Sequence, residues 1–93
     1  MNAAEHAEAT VQVRNRLGLH VRPAARIVRA AVRFQSDVTL AMGDQVVDAK
    51  EVMEIMMLGA GRGAALRVRA EGPDAAEAVA ALEALFATGC GEE

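Results

Sequence analysis

Apolar and polar side chains alternate in Thr10-Val11-Gln12-Val13-Arg14, the period of a strand with one face on a core and the other in water, and the run ends near Asn15. From Val21 to Phe34 the spacing becomes helical: Ala24, Ile27, Val28, Ala31 and Val32 or Phe34 form one apolar stripe, while Arg22, Arg26, Arg29 and Arg33 share another face. Val38, Leu40 and Met42 alternate again, and Gly43-Asp44 supplies a tight turn into Gln45-Val46-Val47-Asp48-Ala49, which predicts a hairpin. A short helix is expected from about Glu51 to Leu58, ended by Gly59, Gly61 and Gly63. Leu66, Val68 and Ala70 alternate with Arg67, Arg69 and Glu71. Gly72-Pro73 then breaks that strand, and Asp74-Ala75-Ala76-Glu77 has the form of a capping box opening a last helix to about Thr88.

The order strand, helix, hairpin, helix, strand, helix predicts an α+β fold, an open-faced β-sandwich with a four-stranded, mainly antiparallel sheet and three helices on one face (β-α-β-β-α-β-α). Residues 1–8 read as a polar, Ala-rich lead-in, 9–91 as one domain, and 90–93 as a frayed end. Ninety-three residues suit one modest core, built from Ala, Val, Leu and Met because there are two Phe and no Trp or Tyr.

A net charge of -3 argues against a general nucleic-acid binder. The single Cys90 excludes an internal disulfide and a Cys-rich zinc site, has no neighbouring base, and suits a reducing compartment. The first residues lack a basic n-region and an apolar h-region, and no apolar run approaches the ~20 residues of a membrane span, so a cytoplasmic protein without direct membrane insertion is expected.

Chemistry concentrates in Gly18-Leu19-His20-Val21-Arg22-Pro23-Ala24-Ala25, at a strand-to-helix junction. His20 falls at or just before the first helical turn, where unpaired backbone N–H groups and the positive end of the macrodipole favour an anion. Arg22 adds a fork-shaped donor suited to phosphate, and as a cation in a first turn it opposes the helix dipole unless an anion binds there. The same field disfavours an imidazolium at His20, leaving a neutral nitrogen as nucleophile. A lone His before a helix is usually only a cap or a surface residue, so the pairing with Arg22 carries the argument. Arg26, Arg29 and Arg33 are read as the wet face of an amphipathic helix. His6 is too far from His20 in sequence to suggest a shared metal site, and no metal is expected.

The eight residues Gly18 to Ala25 resemble the active-site signature of the HPr family, the phosphocarriers of the bacterial phosphoenolpyruvate-dependent sugar phosphotransferase system. Asp48-Ala49-Lys50-Glu51-Val52-Met53 and Ile55-Met56-Met57-Leu58-Gly59 resemble its second signature, and the resemblance spans about Ala9 to Gly91. It implies the same open-faced sandwich, with His20 phosphorylated on Nδ1 and Arg22 stabilising the phosphate. It also implies enzyme I as phosphoryl donor, enzyme IIA domains as acceptors, no cofactor, no nucleic acid and a monomer. The protein would then be a phosphoryl-transfer carrier with a covalent phosphohistidine intermediate rather than a stand-alone catalyst.

By the same resemblance Val52, Met53 and Met56 lie beside His20 and dock partners, with Leu19 joining them, while helical spacing turns Ile55 and Leu58 inward. Glu51 stands where many family members carry a regulatory serine; it cannot be phosphorylated as that serine is, and it places a fixed negative charge near the patch. Val21 replaces a commoner Ala. Three other readings remain: a regulatory, nitrogen-type phosphotransferase carrier, a small phosphatase passing through phosphohistidine, and an anion- or RNA-binding module. The phosphatase lacks an evident group to activate water, and the RNA module lacks Tyr or Trp for stacking.

Overall fold

The computed structural model describes residues 5–92. Four strands, β1 (His6–Gln12), β2 (Asp37–Met42), β3 (Gln45–Asp48) and β4 (Ala65–Glu71), form one antiparallel sheet in the order β1-β4-β2-β3. The helices are α1 (Val21–Ala31), α2 (Val52–Met57) and α3 (Ala75–Ala87), followed by a 3₁₀ turn over Gly89–Gly91. The expected fold class and element order are therefore observed.

Strand alternation is strictest in β4. Leu66, Val68 and Ala70 are buried and Ala65, Arg67, Arg69 and Glu71 exposed, so one face of the sheet is dry and the other is left to solvent. Met42 pairs with Gln45 across the Gly43-Asp44 turn, and Gly43 has φ 59°, the left-handed geometry a two-residue hairpin requires. Onto the dry face pack Ile27 of α1, Ile55 of α2, and Leu82 and Phe86 of α3, against Val13, Val38, Leu40, Leu66 and Val68. Burial of these side chains, rather than propensity, holds the short α2 in place, since an isolated helix of six residues would not persist in water.

Three local expectations change. β1 runs from His6 to Gln12, not from Thr10 to near Asn15, because Ala7 and Ala9 pack against the core while residues 6–8 pair with Arg69–Glu71 of β4; only residues 1–4 of the supposed lead-in lie outside the described residues. Of the two alternatives at the end of the α1 stripe, Phe34 turns to the core and Val32, just past the helix, is exposed. The capping box at α3 does not form, as the Asp74 side chain makes no bond to the first turn. Its carboxylate instead accepts from the Ser36 hydroxyl at 2.6 Å and from the backbone N–H groups of Ser36 and Gln35, each at 2.9 Å. Those donors in the α1–β2 connection compete for Asp74 and win. It thereby ties the end of one helix segment to the start of another. The Ser36 hydroxyl foremost, and then the Gln35 N–H, hold the Asp74 carboxyl below its ordinary range.

Candidate functional site

After β1 the chain turns at Asn15, whose carbonyl accepts from the Gly18 N–H at 3.0 Å, and Gly18 takes φ 71°. That left-handed residue brings the backbone against the segment following α2, where the Leu19 N–H donates to the Ala60 carbonyl at 3.0 Å. His20 emerges as the N-cap of α1: its backbone is extended and its carbonyl accepts from the Ala24 N–H at 3.1 Å. Pro23 sits in the first turn, where its missing N–H costs nothing. No side chain caps this end and no acid occupies its first turn. The positive pole of α1 therefore opens beside the imidazole.

The His20 ring is about a third exposed, and its Nε2 lies 3.2 Å from Oε1 of Glu92. The same oxygen accepts from Asn15 Nδ2 at 2.8 Å, and Asn15 Nδ2 also donates to the Gly89 carbonyl at 2.7 Å. Nδ1 of His20 makes no hydrogen bond to the described residues. The Asn15 amide first, with His20 and the Arg22 charge behind it, holds the Glu92 carboxyl below the ordinary carboxylate range. Around this pair, Arg16, Leu17, Arg22, Arg26 and Gly91 line an open depression of about 580 Å³. Three arginines, one imidazole and a helix start thus face the depression against a single carboxylate, that of Glu92, a balance that suits a polyanion such as a phosphoryl group.

Both His20 and Arg22 line this one depression. Leu19 does not belong to an outer patch: it is only 6% exposed and joins the core, because the turn at Gly18 sends successive side chains to opposite sides. Leu17, on the other side of that glycine, is 77% exposed and lines the depression. Arg26 is not merely solvated; its Nη1 donates to the Cys90 carbonyl at 2.9 Å. The greatest omission is Glu92, in a segment read as a frayed end. Its only signal was the buried-type Cys90 beside glycines, an apolar anchor where fraying would place polar residues.

A family model described as the PTS HPr component phosphorylation site matches residues 7–88. The chain is 48% identical over 77 residues to the phosphocarrier protein HPr of Treponema pallidum, covering 83% of this chain and 88% of that one. It is 44% identical over 78 residues to the HPr of Cupriavidus necator, covering 84% and 88%. This chain belongs to the HPr phosphocarrier family. A crystal structure of an HPr from Thermoanaerobacter tengcongensis superposes with a TM-score of 0.89 at 40% identity, covering 94% of this chain and 98% of that one. The family is that of the phosphocarriers of the phosphotransferase system, which accords with an anion site built around a histidine. A further relative, 42% identical, is a multiphosphoryl transfer protein of Haemophilus influenzae, of which the chain spans 17%.

On this HPr fold, α2 packs against α1, and the Leu19–Ala60 bond joins the His20 turn to the segment just after α2. Ile55 and Leu58 are buried, as their spacing requires, whereas Met53 is 71% and Met56 38% exposed, and Val52 is half-buried. Met57 and Val21 are also exposed. Glu51 is the exposed N-cap of α2 and makes no side-chain cap bond, while Glu54 of the same helix accepts from the Asp48 N–H at 2.9 Å. Cys90 is fully buried, and burial foremost, with the Glu92 carboxylate, pushes its thiol up to about 11, which leaves it unreactive. Among the described residues no helix is long and apolar enough to cross a membrane.

Proposed function

We propose that His20 is the phosphoryl acceptor, taking the group on Nδ1 from phosphoenolpyruvate-charged enzyme I and passing it to enzyme IIA domains during sugar uptake in the cytoplasm. The observation that carries this reading is the placement of His20 at the uncapped start of α1, with Nε2 engaged by Glu92 and Nδ1 left without a partner among the described residues. Arg22, on the same helical turn, offers its guanidinium to the phosphate oxygens and answers charge that the helix start only partly neutralises. The work of such a carrier is positioning and charge stabilisation, for which no cofactor is needed.

Partners dock on the exposed apolar surface of Met53 and Met56, with Val52 at its edge, where flexible thioethers fit several different proteins. Glu51 adds a permanent negative charge to the rim of that surface. The carrier acts as a monomer that meets donor and acceptor in turn. Incubating the protein and its His20→Ala variant with phosphoenolpyruvate and enzyme I tests the reading by intact mass. An acid-labile, base-stable phosphate on the wild type alone supports it; a phosphate on both proteins, or on neither while a control carrier is charged, rejects it.

A further inference from the structure

Beyond the acceptor and its arginine, the geometry points to Glu92 as a positioning residue that fixes the proton of His20 on Nε2 and so presents Nδ1 as the attacking nitrogen. The inference rests on the carrier reading of His20 and deepens it. A neutral imidazole carries one proton, and which nitrogen holds it is set by the partner of the other. Here a carboxylate oxygen lies 3.2 Å from Nε2 and nothing among the described residues holds Nδ1. An anion accepts, so Nε2 donates and the lone pair is left on Nδ1, beside the positive pole of α1.

The carboxylate is itself held from several directions. Asn15 is 4% exposed and donates from one amide nitrogen both to Glu92 Oε1 and to the Gly89 carbonyl, 2.8 and 2.7 Å away. Arg26 grips the Cys90 carbonyl from α1, and the Cys90 side chain is buried in the core. Gly89, Cys90 and Gly91 have φ of 64°, 56° and 77°, so three consecutive left-handed residues bend the chain back over the His20 turn. Cys90 is the one non-glycine residue among the three, and its burial in the core and the Arg26 bond to its carbonyl hold it in that conformation. The charged groups facing the pair are Arg16 from the β1–α1 connection and Arg22 and Arg26 from α1, while burial keeps the nearby Cys90 thiol neutral.

This arrangement also balances the transfer. The Nδ1 lone pair attacks phosphorus, the N–P bond of the donor phosphohistidine breaks, and its electron pair returns to the donor ring. The new N–P bond leaves the His20 ring with its Nε2 proton and a formal positive charge directly opposite the Glu92 carboxylate. No proton has to leave the attacking nitrogen. In the onward step the N–P pair returns to Nδ1 and the starting tautomer is restored.

The test uses the full chain, wild type and the Glu92→Ala, Glu92→Gln and His20→Ala variants, with Tm checking that each is folded. Nitrogen-15 NMR of the imidazole reads the tautomer, and single-turnover labelling by enzyme I reads the rate. Expected are an Nε2–H ring in the wild type, a shift toward Nδ1–H in Glu92→Ala with labelling about tenfold slower, and a retained Nε2–H tautomer in Glu92→Gln, whose amide oxygen still accepts. The pH profile for hydrolysis of phosphorylated His20 should also move in both Glu92 variants, because the ring has lost its counter-charge. An Nε2–H ring in Glu92→Ala at wild-type labelling rate overturns the inference. So does faster labelling, which would mean that the carboxylate blocks the phosphoryl site. If the wild type itself takes no phosphate, the carrier reading fails, and the tautomers still judge Glu92.

Discussion

Gly18 and Ala60 approach so closely that a side chain at position 18 has no room: a Cβ there would lie 2.5 Å from the Ala60 carbonyl oxygen and 3.0 Å from the Gly61 Cα. With φ at 71°, any substitution is strained before the clash is counted. The contact is backbone to backbone, so no rotamer change relieves it. Gly18→Ala is therefore expected to destabilise the fold by about 1–3 kcal/mol in urea unfolding. It should also lengthen the Leu19–Ala60 hydrogen bond next to His20, so labelling is expected to slow at temperatures where the variant is still folded.

Arg22 is exposed and its replacement leaves no hole. Arg22→Ala should keep the wild-type Tm within a degree or so yet slow phosphoryl uptake by about a hundredfold, the usual scale for removing one donor to a developing anion. Arg67→Ala, on the solvent face of the sheet, serves as the control for net charge and should label at the wild-type rate. Equal slowing in both variants would mean that Arg22 acts through the overall field of the protein rather than at the phosphate.

Asp74 predicts an acid dependence whose sign follows from its partners. Folding holds its carboxyl below the ordinary value of 3.8, chiefly through the Ser36 hydroxyl, so its stabilisation is complete above that value and lost as pH falls through the lowered one. Asp74→Asn turns an amide donor toward the Ser36 or Gln35 N–H and should lower Tm at neutral pH. The gap to wild type should hold steady between about pH 5 and 7 and narrow below about pH 4. A gap that is constant down to the acid limit would show that Asp74 contributes through shape alone. Glu92 obeys the same sign, with its ordinary value at 4.5.

What the sequence made legible follows contact range. The period-two runs at Val11–Val13, Val38–Met42 and Leu66–Ala70 each mark a strand, although only β4 alternates strictly: in β2 both Leu40 and Ala41 are buried, and Val13 lies just past β1. His20 and Arg22 could be placed together from sequence because both lie within one residue of Val21, where α1 begins. Glu92 was not, since its meeting with Asn15 and His20 closes loops of 77 and 72 residues that no local pattern encodes. Asp74 misled for the same reason: its local partner three residues on lost to Ser36, 38 residues back. The exchange of Leu17 for Leu19 at the surface turned on the φ of one glycine.

That exchange separates docking from packing in a single experiment. Leu19→Ala removes a core side chain and should cost about 2–5 kcal/mol in unfolding, with little effect on partner affinity once the folded fraction is corrected for. Met53→Glu places a charge on an exposed side chain and should leave Tm unchanged while weakening binding to enzyme I by about tenfold or more, measured by titration calorimetry. Met56→Glu should behave similarly with a small added stability cost, because more of its side chain is covered. Should Leu19→Ala weaken binding as strongly as Met53→Glu at equal folded fraction, the turn at Gly18 would have to open on docking and bring Leu19 outward. Unchanged affinity in both methionine variants would move the docking face off α2 altogether, toward the exposed Val21 and Leu17, which lines the depression.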